Sequence, residues 1–262
     1  MKENAETSTS DIAGKKPRKG EIMTSVTEKQ NGVVRIVFGN IAGIEANAYV
    51  CAVKHDLKYS GGGVQDALAQ KFRRGSRVGE GIFNGEESKT KVPPKSAHIR
   101  SLKTDGRTQH VILTVNVEPV ADVASDFDGP KFQCSEDTLR ESIRNVLASV
   151  EEYNKKAGKK DQIRSVAFPL LGTGMLGGSI MHINVPLIIV GEFQKYFKSE
   201  GEKSIEELIL VATENARGVQ QALRYMKTEG KLLPEDGKLQ MPKNQRKFTS
   251  DEGNISEVEL RM

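Results

Sequence analysis

Residues 165–178 read Ser165-Val166-Ala167-Phe168-Pro169-Leu170-Leu171-Gly172-Thr173-Gly174-Met175-Leu176-Gly177-Gly178. The apolar run at the start suits a buried strand, and four of the last seven residues are glycine, a composition expected where backbone must come close to a ligand. Downstream, Val185, Ile188, Ile189, Phe193 and Phe197 recur at helical spacing, with Asn184 as an N-cap and Pro186 tolerated in the first turn. The unit is strand, glycine loop, helix. In α/β proteins such a loop turns unpaired backbone N–H groups, at or near the positive end of a helix, toward phosphate oxygens. A phosphorylated ligand is the first expectation, although a plain tight turn accounts for the glycines of this single stretch equally well.

The same unit occurs a second time. Val33–Phe38 and Ala48–Val53 are apolar, β-rich runs, and after the polar residues 54–60 comes Gly61-Gly62-Gly63-Val64, leading into a helix with Val64, Ala67, Leu68 and Phe72 on one face. Two strand–glycine loop–helix units in one chain strengthen the phosphate reading, because both loops could converge on one pyrophosphate.

Between and beyond these units the pattern continues. A short strand is expected around His98–Leu102, inside a polar, glycine-studded stretch from Arg73 to Gln109, and a stronger one over His110–Val117. Residues 122–130 read as an acidic loop. Ser135, followed by Glu136 and Asp137, starts a helix whose face is Leu139, Ile143, Val146, Leu147 and Val150. Leu208–Ala212 is expected as the last strand and Ala216–Met226 as the last helix. Strands that are apolar throughout, alternating with helices, argue a mostly parallel sheet covered on both faces. Ligands of such sheets bind beyond the carboxyl ends of the strands, where both glycine loops would lie.

Composition sets the bounds. With 262 residues, of which 37% are hydrophobic, the chain can bury one good-sized core. Residues 1–30 read as a disordered tail, 31–228 as the domain and 229–262 as a flexible tail. The tails nearly cancel in charge, so the net +4 belongs to the domain. That excess is too mild to argue for nucleic acid but would not repel a small anion. The basic cluster Lys15-Lys16-Pro17-Arg18-Lys19 fits an import or anionic-surface patch, but such a run is more often simply solvated. Lys71, Arg73, Arg74 and Arg77 form a second basic run that could draw in an anionic polymer, or be another solvated face.

Two cysteines, Cys51 and Cys134, and no Cys/His cluster of ligand spacing point away from a disulfide framework and from any metal or resident cofactor. No apolar run approaches a membrane span. A cytoplasmic location is therefore expected, or a nuclear one in a eukaryotic or host-delivered setting. Cys51, His110 and His182 read as structural rather than catalytic.

Gly172-Thr173-Gly174-Met175-Leu176-Gly177 formally fits the G-x-G-x-x-G dinucleotide fingerprint. That reading also requires an acid about 20 positions on, at the end of the next strand, to hold a ribose. The nearest candidate, Glu192, falls inside a helix, so the dehydrogenase reading fails on context.

Taken together, these blocks resemble the macrodomain family, whose members bind ADP-ribose. Gly39-Asn40-Ile41-Ala42 is similar to the family's Gly-Asp-Ile-Thr, and Val50-Cys51-Ala52-Val53-Lys54 sits where it has Val-Asn-Ala-Ala-Asn. Gly61-Gly62-Gly63-Val64 matches its first glycine loop, Phe168 to Gly177 its second, and His110–Val117 its central strand. The resemblance covers roughly Val33 to Met226. It implies a three-layer α/β/α macrodomain-like fold with a mixed, mostly parallel central sheet. It further implies a ligand, ADP-ribose or an ADP-ribosylated protein, with Asn40 and Ile41 at the adenine, Gly61, Gly62, Gly63 and Val64 around the distal ribose, and backbone N–H groups of Gly172, Thr173, Gly174, Met175 and Leu176 at the diphosphate.

The chain also departs from the family. Asn40 replaces an aspartate, keeping a carbonyl acceptor but losing charge. Both asparagines of the Asn-Ala-Ala-Asn block are missing, with Lys54 or His55 in the place of the second. Leu176 replaces an aromatic at the distal ribose, and Gln65 stands where hydrolytic members often have aspartate, with Asp66 one position along. The resemblance implies that hydrolysis of ADP-ribosyl bonds depends on this region. The sequence therefore reads as a binding module with a divergent catalytic site, no catalytic residue being assigned. A hydrolase with a non-standard site, or a degenerate domain serving protein or RNA interaction, are its alternatives.

Overall fold

The computed structural model describes residues 32–55, 57, 62–72, 82, 92–104, 107–119, 132–172 and 184–212, with the backbone of 257–261. The expectations for residues 1–30, the 122–130 loop, the 216–226 helix and most of 229–262 lie outside these residues. In chain order the strands are β1 (Val33–Phe38), β2 (Ala48–Ala52), β3 (Ala97–Thr104), β4 (Arg107–Thr114), β5 (Glu118–Pro119), β6 (Phe132–Gln133), β7 (Ser165–Pro169), β8 (Glu207–Ala212) and β9 (Glu257–Arg261). The helices are α1 (Gly63–Lys71), α2 (Glu136–Lys156) and α3 (Asn184–Lys198).

Seven strands form one sheet in the order β3-β4-β2-β7-β8-β1-β9. The five strands from β4 to β1 run parallel, and the two edges, β3 on β4 and β9 on β1, are antiparallel. A mixed, mostly parallel sheet was expected, and its central strands carry the composition that predicts it. Val34, Ile36, Ala48 to Cys51, Val111 to Leu113, Val166 to Phe168 and Leu208 to Leu210 are all buried. The separate β5–β6 ladder is short and antiparallel.

Register shows how the layers are divided, because paired residues on neighbouring strands place their side chains on the same face. Ala48 pairs with His110 and with Val166, and Val166 with Leu208. His110 meets Tyr153 of α2 edge-on, and Phe168, two residues after Val166, meets Phe193 of α3. Both helices therefore cover the Ala48 face. Tyr49 points the other way and meets Phe72, at the end of α1, with ring centroids 5.6 Å apart. Helices thus lie on both faces, giving three layers.

The helix signals held. Ser135 caps α2, its hydroxyl oxygen accepting from the Thr138 N–H at 3.1 Å, with Glu136 and Asp137 at the positive end of the helix and Lys155 and Lys156 at the other. All five residues of the expected α2 face are buried, each contributing roughly 1.5–3 kcal/mol by removal from water. Asn184, expected as a cap, is instead the first residue of α3 and donates to Glu136 Oε1 at 3.3 Å. Two boundaries also moved. β3 is eight residues long, because pairing with β4 extends it past Leu102, and β4 starts earlier than the expected strand and stops at Thr114. No helix of the described residues is long and apolar enough to cross a membrane.

The main correction is at the C-terminus. Leu208–Ala212 is not the last strand, and the expected flexible tail does not extend through 257–261, which pair with β1 from Val33↔Arg261 to Val37↔Glu257. A strand edge presents a row of unpaired N–H and C=O groups, and β9 satisfies those of β1.

Glu192 fastens α3 to α2. Its side chain is 1% exposed and receives Arg144 Nε at 2.7 Å, Arg140 at 3.1 Å and Lys195 at 3.2 Å. Burial pushes its carboxyl up, but the hydrogen bonds from Arg144, Arg140 and Lys195 outweigh burial and leave it below its ordinary value. A carboxyl lowered in the folded state adds stability that is present above its unfolded value of 4.5 and is lost as the pH falls through the folded one. Glu192→Gln should cost about 2 kcal/mol at neutral pH, below the roughly 3–5 kcal/mol of a wholly buried pair because Arg144 reaches solvent. The variant should also lose part of the stability decrease between pH 5 and pH 3, as read by urea denaturation across that range.

Candidate functional site

Because β1, β2, β4, β7 and β8 share one direction, their carboxyl ends form one edge of the sheet. That edge leads into Gly39-Asn40, Val53 to His55, Val115 to Val117, and Leu170 to Gly172. The described residues of the expected site, Asn40, Ile41, Gly62, Gly63, Val64 and Gly172, all follow one of these strands. Gly61, Thr173, Gly174, Met175 and Leu176 lie outside the described residues, as does Asp56.

Asn40 caps a single 3-10 turn at Ile41–Gly43, with Oδ1 accepting from Ala42 N–H at 2.9 Å. Asn40 therefore serves as a turn residue in its own right. Its oxygen has a second lone pair, and the side chain is exposed, so capping leaves an acceptor position and both amide donors outward. Ile41 is buried at 4% exposure, and its N–H, in the first turn, meets no acceptor among the described residues.

Gly62 precedes α1 at φ 112°, a left-handed value that glycine takes without strain, and a Cβ there would meet nothing within 4 Å. The backbone angle, not crowding, requires glycine. Its N–H donates to Asp66 Oδ2 at 3.3 Å, so a carboxylate of the first turn already occupies the positive end of α1. Gln65 turns inward, is 7% exposed, and donates Nε2 to Ala52 O at 2.9 Å, tying α1 to the end of β2. The buried α1 face is accordingly Gln65, Leu68, Ala69 and Phe72, while Val64 and Ala67 are only half-buried. Sequence periodicity missed this rotation because Gln65 is polar.

After β2 the chain turns sharply. Lys54 is exposed, Leu57 N–H donates to Lys54 O at 2.9 Å, and His55 O accepts from Val92 N–H at 2.8 Å. Leu57 is fully buried at φ 55°, a conformation leucine adopts only when packing imposes it, at a cost of roughly 1 kcal/mol or more. After β7, Leu171 is buried and Gly172 adopts φ 79°, so the second loop also opens on a left-handed glycine.

Sequence reading passed over Asn116, two residues beyond β4. It is 4% exposed, and its amide has one weak contact among the described residues, Cys134 Sγ at 4.0 Å. An isolated polar residue in an apolar run was the available signal. His110 is structural: it lies on β4 opposite Ala48, the first residue of β2 and so toward the opposite edge, with Nδ1 3.1 Å from Ser101 Oγ. Burial lowers its pKa, partly countered by Asp161. His182 lies outside the described residues. Among the described residues no group of three or more His, Cys, Asp or Glu side chains could hold a metal ion.

The profile of the Macro domain family matches residues 46–183. Among solved structures, a substituted macrodomain of Oceanobacillus iheyensis with ADPR is similar, with a TM-score of 0.53 and 21% identity over 76% of this chain and 95% of that one. A second substituted form of that macrodomain gives 0.53 at 22% identity, over 80% and 97%. The Trypanosoma brucei macrodomain in complex with ADP-ribose gives 0.50 at 18% identity, over 72% and 68%. No curated protein sequence matches the chain.

Cys51, in β2 beside the site, is fully buried, and burial pushes its thiol up to about 12. The native protein should therefore leave Cys51 unlabelled by iodoacetamide at pH 8.5 and label it after unfolding in urea, as read by peptide mass spectrometry; labelling in the native state at the rate of a free thiol would contradict the burial.

Proposed function

We propose, on the premise that this chain belongs to the macrodomain family, that it binds ADP-ribose, free or carried on a modified protein, at the carboxyl edge of its sheet. The observation that carries the proposal is the convergence there of three features: the Asn40–Gly43 turn, the glycine start of α1, and the left-handed glycine opening the loop after β7. The solved macrodomains with ADP-ribose share this fold.

Charge divides the ligand among these features. Asp66 at the start of α1 would repel a phosphate but suits hydroxyl donors, so Gly61 to Val64 are assigned to the distal ribose. The diphosphate then falls to backbone N–H groups of Gly172, Thr173, Gly174, Met175 and Leu176, whose glycines let the backbone approach closely. This replaces the idea that both glycine loops converge on the pyrophosphate. Asn40 and the Ile41 N–H take the adenine, with an amide doing the work of the family's aspartate more weakly because it lacks charge.

Hydrolysis is the second reading, and the residues around α1 argue against it. Gln65 has no titratable group and is held by Ala52 O, while Asp66 is engaged with the Gly62 N–H. Neither is set up to take a proton from a water.

Calorimetry should give a dissociation constant for ADP-ribose on the order of 1–10 µM, at least about tenfold tighter than for AMP, because the monophosphate forgoes the second phosphate and the distal ribose. Gly174→Glu should abolish binding by placing a carboxylate where phosphate must sit. Binding of ADP-ribose unchanged in that variant would refute the diphosphate assignment. Absence of binding in the unsubstituted chain would favour a degenerate domain used for protein or RNA contact. Release of ADP-ribose from a mono-ADP-ribosylated protein should stay near background over hours, and robust turnover would refute the binding-module reading.

A further inference from the structure

We propose that Lys71, the last residue of α1, is a positioning residue that shapes the Asn40–Ile44 turn and thereby sets selectivity for the base. This inference rests on the adenine assignment made under Proposed function. Sequence alone groups Lys71 with Arg73, Arg74 and Arg77 as one basic run; its own contacts set it apart.

The Lys71 ammonium does not stand in solvent or against an acid. It is half-buried, and no carboxylate of the described residues pairs with it. It donates instead to Ala42 O at 2.6 Å and approaches Ile44 O at 3.5 Å, while lying over the Tyr49 ring 4.9 Å from its centroid. An ammonium has three donors and no acceptor, so two carbonyls and a ring face are a chemically suitable set of partners. Tyr49 braces the same turn from below. Fully buried, it donates its hydroxyl to Ile44 O at 2.8 Å and accepts from Ala46 N–H at 3.2 Å, and its ring packs on Phe72, the residue after Lys71.

The geometry has a direction. Lys71 and Tyr49 draw the carbonyls of Ala42 and Ile44 toward α1, fixing the far side of the turn whose first residues, Asn40 and Ile41, open it at the end of β1. The nine residues of α1 extend about 13 Å at 1.5 Å per residue. Its first residues flank the proposed distal-ribose loop and its last grips the proposed adenine turn, so one rigid helix spans the two ends of the ligand. Lys71 is the group that joins the helix to the adenine end.

The test compares ADP-ribose with its hypoxanthine analogue, inosine diphosphate ribose, by calorimetry on the full chain. Lys71→Met keeps the apolar stem over Tyr49 but removes the donors, and Lys71→Arg restores charge and donors. The unsubstituted chain should prefer the adenine ligand. Lys71→Met should bind ADP-ribose at least about fivefold more weakly, with its preference over the hypoxanthine analogue falling toward unity, and Lys71→Arg should recover most of both. A residue that only stabilised the fold would lower the affinity for both ligands equally and leave their ratio unchanged. That result, or unaltered affinity in Lys71→Met, would overturn the proposal while leaving the ADP-ribose reading intact. Failure of the unsubstituted chain to bind either ligand would overturn that reading and this one together.

Discussion

The parallel direction of five neighbouring strands is the constraint on which the rest of the structure depends. Parallel strands cannot be joined by tight turns, so each connection must cross a face of the sheet, and the crossings are what place α1 on one side and α2 with α3 on the other. Strands covered on both faces must be apolar along their length, which accounts for the runs at 48–51, 111–113, 166–168 and 208–210. The same direction gathers every strand's carboxyl end at one edge. Loops from distant parts of the sequence meet there without needing contacts of their own.

What the sequence made legible follows from that constraint. Continuous apolar runs and helical spacing report burial, and burial is what they predicted for the strands and for the α2 face. Periodicity says little about residues whose role is set by a distant partner. Gln65 falls outside the expected apolar face of α1 until Ala52 O is seen beside it, and Lys71 reads as one cation among several until the carbonyls of Ala42 and Ile44 are placed around it. β9 was hidden for a related reason. Glu257-Val-Glu-Leu-Arg261 does alternate, but five residues at the end of a polar segment have no local feature that names β1 as their partner.

Charge placement separates the two glycine loops, which composition alone makes look equivalent. Both begin near a left-handed glycine, at φ 112° for Gly62 and 79° for Gly172. At the start of α1 the Gly62 N–H donates to the Asp66 carboxylate. A helix start that already holds an anion is a poor second host for one, since like charges at contact distance in a partly desolvated site repel by more than the dipole attracts.

Four asparagines show how position, more than residue type, decides what a side chain is free to do. Asn47 and Asn154 lie toward the amino edge and bind backbone groups there. Asn47 Oδ1 accepts from the N–H groups of Arg164 and Ser165, both at 3.0 Å, and Asn154 receives Ile163 N–H at 2.7 Å while donating to Ile163 O and Ser204 Oγ. Asn47 ties the start of β2 to that of β7 across more than a hundred residues of chain, and Asn154 ties α2 to the residues just before β7 and β8. Asn40 and Asn116 lie at the carboxyl edge, one bonded to a neighbouring N–H and the other with only a weak sulfur contact among the described residues. Replacing either of the first pair removes partners from backbone groups, a buried one in the case of Asn154, and should be felt by the fold, whereas the second pair keep donors and acceptors uncommitted among the described residues. Unused hydrogen-bonding capacity is costly to bury and is kept where a ligand can use it. Asn40 and Asn116 hold such capacity at the edge to which the five parallel strands point.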